Sequence, residues 1–100
     1  MTKPRRAAAT GTLKCEDEHI RVTEWRFAPG AATGWHRHAH DYVVVPLLDG
    51  KLGLEEPGGT MREAVLQRGV PYNRQEGVEH DVININDFEF AFVEIELKTR

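Results

Sequence analysis

A chain of 100 residues, 40% of them apolar, builds one hydrophobic core and has no room for a second domain, which excludes a two-domain enzyme or a sensor fused to DNA-binding helices. A formal charge of −3 gives no basic field for nucleic acid or phosphate. No stretch reaches the roughly 18 consecutive apolar residues of a membrane span.

The first segment, residues 1–11, reads as a solvated arm whose Lys3, Arg5 and Arg6 form the sole cationic cluster. No apolar run follows that charge, so a cytoplasmic protein is expected. Residues 12–98 form the domain proper. The single cysteine, Cys15, has no internal disulfide partner and reads as a buried or half-buried structural thiol.

Along the domain, β-branched and aromatic residues alternate with polar ones in short runs cut by Gly and Pro, and no stretch of ten residues keeps a helical period. The alternation predicts strands at Thr12–Cys15, His19–Ala28, Trp35–His40, Tyr42–Leu47, Lys51–Glu55, Thr60–Leu66, Tyr72–Gln75, Glu79–Ile85 and Glu89–Leu97. Pro29-Gly30, Asp49-Gly50 and Pro57-Gly58-Gly59 supply turn chemistry, and Asp49-Gly50 is the strongest hairpin signal. So many short strands in one small domain predict an all-β sandwich or jelly-roll barrel, which hides strand edges by closing the sheet. Trp25, Phe27, Trp35, Phe88, Phe90 and Phe92 are the expected packing aromatics. The last strand carries Ala91, Val93, Ile95 and Leu97 on its other face, so it reads as buried on both sides, and a homodimer would cover the second.

The stretch GWHRHAHDY places His36, His38 and His40 at alternate positions. Strand residues i and i+2 share a face at roughly 6.5–7 Å, whereas i and i+4 are roughly 13 Å apart, so one ion takes two of the three. A third ligand has to come from His19 or His80. His80 follows Gly77 in GVEHDVIN, on one face with Val82 and Asn84, and meets the pair if that face lines a barrel.

These positions resemble the two motifs of the cupins, small jelly-roll barrels of the double-stranded β-helix type. Gly30 lies five residues before His36-x-His38, and Gly50 falls at the closing glycine. Gly69, Gly77, His80 and Asn84 match the second motif. DYVVVPLLDG and GVEHDVIN are also loosely similar to small single-domain bacterial cupins associated with β-alanine degradation. The resemblance selects His36, His38 and His80 as ligands of one divalent transition ion, with Fe, Ni, Zn, Cu and Mn all compatible with three imidazoles.

Two positions depart from the family pattern. Val43, separated from His38 by four residues, stands where the family's glutamate is expected, and Gln75 stands at the motif proline. Asp41 or His40 is a possible replacement for the lost carboxylate. Otherwise His40 reads as a mouth or surface residue, and His19 as a solvated edge residue. The resemblance also aims Arg74 into the barrel, with Tyr72 on the same face, which makes Arg74 and Tyr72 the candidate catalytic residues. A guanidinium there suits a substrate carboxylate, unless Glu24, Asp41 or Glu79 pairs with it. Two functions follow: a metal-dependent enzyme on a small carboxylate, either an iron-type dioxygenase or an isomerase or lyase, or a non-catalytic metal and small-molecule binder in a catabolic pathway. Neither needs nucleic acid or a membrane.

Overall fold

The computed structural model describes residues 6–99, so Lys3 and Arg5 of the cationic arm lie outside it. Nine strands follow in chain order: β1 (Thr10–Glu16), β2 (Ile20–Phe27), β3 (His36–Arg37), β4 (Asp41–Pro46), β5 (Gly50–Glu55), β6 (Met61–Leu66), β7 (Tyr72–Arg74), β8 (Glu79–Asn84) and β9 (Phe90–Leu97). Among the described residues, no helix is long and apolar enough to cross a membrane. The strands pair into a five-stranded sheet, β1-β2-β9-β4-β7, facing a four-stranded sheet, β3-β8-β5-β6. Only the β1–β2 and β5–β6 connections stay within one sheet, and each other connection crosses to the opposite one, as in a jelly roll.

Period-2 alternation decides what enters the interior. Along β4 the buried residues are Tyr42, Val44 and Pro46. On its neighbours, Arg74 and Tyr72 lie opposite Tyr42 and Val44 on one side, and Glu96 and Glu94 lie opposite them on the other. These side chains share the inner face. Phe27 and Phe90 pair across β2 and β9 and, with Leu52 from the facing sheet, form an apolar plug at one end of the sandwich. Full burial of each such side chain stabilises the fold by about 2 kcal/mol. Toward the opposite end, the inward positions turn polar.

Asn84, 1% exposed, ties that plug together. Its Nδ2 donates to the carbonyls of Phe27 (3.1 Å) and Phe88 (2.9 Å), while its Oδ1 accepts from the Asn86 backbone N–H (2.9 Å). The motif asparagine is therefore a clamp between the end of β2 and the β8–β9 turn.

Several expectations need correction. Asp49-Gly50 is not a hairpin turn, since β4 pairs with β7 and β9 whereas β5 pairs with β6 and β8. Gly50 is needed for close approach, because a Cβ there would meet the Phe90 ring at 2.8 Å. The expected Trp35–His40 strand contracts to His36–Arg37. Trp35 and Phe88 are 50% and 43% exposed, so neither is a core aromatic. Cys15 is exposed because β1 is an edge strand with every residue in solvent. The outward face of β9 is half covered: Val93 and Ile95 are partly buried and Leu97 is 39% exposed.

Candidate metal centre

His36 lies opposite His80 in the short β3–β8 ladder. His38 continues that ladder, since its N–H donates to the Val78 carbonyl (2.9 Å) and its carbonyl accepts from the Gly77 N–H (2.8 Å). Gly77 adopts φ +93°, a turn conformation that a side chain would strain. Both i, i+2 histidines thus point inward, toward the one supplied by β8.

The three Nε2 atoms converge, with 3.0 Å between His36 and His38 and 3.1 Å between His38 and His80. Nitrogens at those two separations subtend about 90–95° at a point ~2.1 Å from each, and the three candidate ligand atoms all lie within 4.8 Å of one another. The rings stand at 70–88° to one another, with centroids 4.7–5.1 Å apart. His36 Nδ1 lies 2.8 Å from the Gly34 carbonyl, an arrangement that places the ring proton on Nδ1 and leaves Nε2 free to coordinate. Burial, helped by the neighbouring His36 and Arg74 charges, pushes the His38 pKa down to about 4. Burial, with His36 and His38 beside it, lowers His80 to about 3. Neutral imidazoles are the ligating form, and the donor set fits a divalent transition ion.

The histidines open onto a cavity of about 300 Å³ whose wall includes Tyr42, Tyr72, Arg74, Glu94 and Trp25. Tyr42 stacks on His38 with ring centroids 3.8 Å apart.

Comparison with known proteins places this architecture. No family model matches the chain. A cupin domain from Bordetella pertussis is 55% identical and superposes with a TM-score of 0.92, covering 97% of this chain and 100% of that one. The chain is a cupin. A second relative, the beta-alanine degradation protein BauB of Pseudomonas aeruginosa, is 56% identical over 93 residues, 93% of this cupin and 97% of that protein. A double-stranded β-helix protein from Klebsiella pneumoniae shares the fold at 20% identity, with a TM-score of 0.76 over 96% of this cupin and 82% of that chain.

Within this cupin, the candidate residues separate cleanly. His36, His38 and His80 cluster, whereas His40 is half-buried outside the group and His19 is exposed. Asp41 is occupied elsewhere, accepting the Glu76 N–H at 2.8 Å. Val43 does not face the site: it alternates outward on β4, and Tyr42, separated from His38 by three residues, takes the inward position. Arg74 and Tyr72 line the cavity. The carboxylates weighed as partners of Arg74 are engaged otherwise, Glu24 with Arg26 (2.9 Å), Glu79 with Arg37 (3.8 Å) and Asp41 as above. Among the described residues, no carboxylate forms an ion pair with Arg74.

Sequence reasoning missed Tyr42 and Glu94. The phase of β9 held a signal for the latter, because Phe90, Phe92 and Glu94 alternate on one face, so an inward Phe92 implies an inward Glu94. Burial, with Glu96 adding to it, raises the Glu94 carboxyl to about pH 7.

Proposed function

We propose that this cupin holds one divalent transition ion on His36, His38 and His80 and acts as a metal-dependent enzyme on a small molecule bearing a carboxylate. The observation carrying this reading is the clustering of three imidazoles beside Arg74, a cation with no ion-pair partner among the described residues. Such an ion supplies Lewis-acid polarisation of a coordinated group or, for iron, redox chemistry with dioxygen. The protein contributes the rest. Arg74 offers a forked donor to the carboxylate, and Tyr72 offers a hydroxyl beside it. Apolar Val44, Leu54 and Phe92 wall the cavity against bulk water. The name of the Pseudomonas relative sets the expected context, catabolism of β-alanine or a molecule of similar size.

The reading is tested by metal-dependent turnover of short carboxylates, thiols and diketones, with oxygen uptake followed for the Fe(II) form. Turnover that disappears in Arg74→Ala while the metal stays bound supports it. Tight carboxylate binding without turnover by any metal form would instead support a non-catalytic binding role, which the same site also accommodates.

The reading includes a homodimer. Val22, Ile95 and Val43 lie side by side on the outer face of the five-stranded sheet, with Val93 and Val45 paired beside them. Sedimentation at micromolar concentration is expected to give twice the 11.4 kDa chain mass, and a monomer there would remove the dimer from the proposal.

A further inference from the structure

Two polar groups at the cavity wall have no hydrogen-bond or ion-pair partner among the described residues. The Tyr42 hydroxyl is fully buried with no hydrogen bond, and Glu94, 9% exposed, makes no hydrogen bond or ion pair among the described residues. Leaving a buried hydroxyl unsatisfied is unfavourable, and a carboxyl group with no protein partner is open to a ligand, so a polar ligand in the cavity would complete both. Both line the same cavity as Arg74 and Tyr72.

The sheet register fixes how these groups are spread. Glu94 lies across Val44 from Tyr72, and Tyr42 separates Arg74 from Glu96. The Cα atoms of Arg74 and Glu94 are therefore two strands and two residues apart, roughly 12 Å by sheet spacing. A positive pole and an acidic pole thus face one small cavity without neutralising each other. The acidic pole is flanked by the Tyr42 and Tyr72 phenols, with the Trp25 indole also in the wall, and carboxylate plus aromatic faces is the chemistry that receives an ammonium group.

We propose that Glu94, with the Tyr42 and Tyr72 hydroxyls, forms an ammonium-binding pole opposite Arg74, so that the cavity selects short, straight-chain amino acids whose amine is remote from the carboxylate. This rests on the reading that the carboxylate lies at Arg74 beside the metal. A 300 Å³ cavity is at the small end of ligand sites, which limits the chain between the two charges to a few carbons. A second amine-bearing substituent or an aromatic ring would not fit between the poles.

The titratable and polar groups around Glu94 are Glu96 on its own strand, Tyr42 from β4, Tyr72 and Arg74 from β7, Thr23, Trp25 and Arg21 from β2, the last held by Glu16, and, from the facing sheet across the cavity, His36, His38 and His80. Burial keeps both phenols protonated. Glu94 is expected to change charge near neutrality, and ammonium binding is expected to strengthen as it ionises.

The test is calorimetric titration of the Zn(II)-loaded protein with matched pairs, 3-aminopropionate against propionate and 4-aminobutyrate against butyrate. At pH 8 the amine-bearing member is expected to bind about tenfold tighter, as a buried charge-assisted hydrogen bond provides. That preference should shrink at pH 6. In Glu94→Gln it should vanish while propionate affinity stays within about twofold, since Arg74 is untouched. The wild-type pH series needs no variant and stands if Glu94→Gln does not fold. Equal binding within each pair by the wild type overturns this inference alone. A preference that survives Glu94→Gln also overturns it, by placing the amine on the metal. Failure of both members of each pair to bind overturns the Arg74 reading and this inference with it.

Discussion

Tyr42 and Val43 are sequence neighbours pointing to opposite faces of β4, and the site depends on which of them faces in. A glutamate at the inward position would reach the histidines, whereas one at the outward position would lie on the sheet exterior. Tyr42→Glu is therefore expected to tighten metal binding by supplying an anionic ligand, and Val43→Glu to leave the metal affinity unchanged, both measured by competition with a chelator. The reverse order would place β4 in the wrong phase. Glu94 makes a second prediction at this scale. Its folded pKa of about 7 lies above the ordinary carboxyl value of 4.5, so the folded state holds the proton more firmly than the unfolded state. Stability then falls as pH rises from about 4.5 to 7, by up to about 3 kcal/mol, and stays reduced above that range. Glu94→Gln removes the ionisation and is expected to be about 1–3 kcal/mol more stable than wild type at pH 8, with little difference near pH 4.5. Urea denaturation at both pH values checks this, and equal losses of stability at both would show that Glu94 is satisfied by contacts of its own.

The elements show where sequence patterning informs and where it stops. Alternation located every strand because it reports which face a residue takes, and each face here is either core or solvent. Alternation does not report which strand lies alongside, so Asp49-Gly50, with all the chemistry of a tight turn, joins strands in opposite sheets. Aromatic character likewise misplaced Trp35 and Phe88, which lie in connections at the rim, outside the strand interiors. The clustering of three histidines was legible because His-x-His is a one-face signal on any strand and His80 sits in phase with Val82. The acidic pole was not, because a glutamate inside a strand normally marks the solvent face. Gly50→Ala tests the packing account. The added methyl would press on the fully buried Phe90 ring at 2.8 Å, so a loss of about 1–3 kcal/mol is expected in urea denaturation, against a few tenths if the ring can yield.

Considered whole, the molecule is a cup closed at one end by Phe27, Phe90 and Leu52 and furnished at the other with three imidazoles, a guanidinium and a buried carboxyl group. The apolar plug supplies stability, and the polar end supplies function at some cost to it. Metal binding should return part of that cost, raising the melting temperature by an amount that grows with free metal concentration. Because only neutral imidazole ligates, and burial holds the His38 and His80 pKa values at about 4 and about 3, the rise should persist down to about pH 5 and diminish as the pH falls through about 4. The central claim, one ion on His36, His38 and His80, is tested most directly by metal titration of wild type and His80→Ala at pH 8. Wild type is expected to bind one equivalent per chain, and His80→Ala to bind at least about tenfold more weakly, as loss of one of three ligands requires. A His80→Ala protein that keeps the full stoichiometry at wild-type affinity would contradict the account.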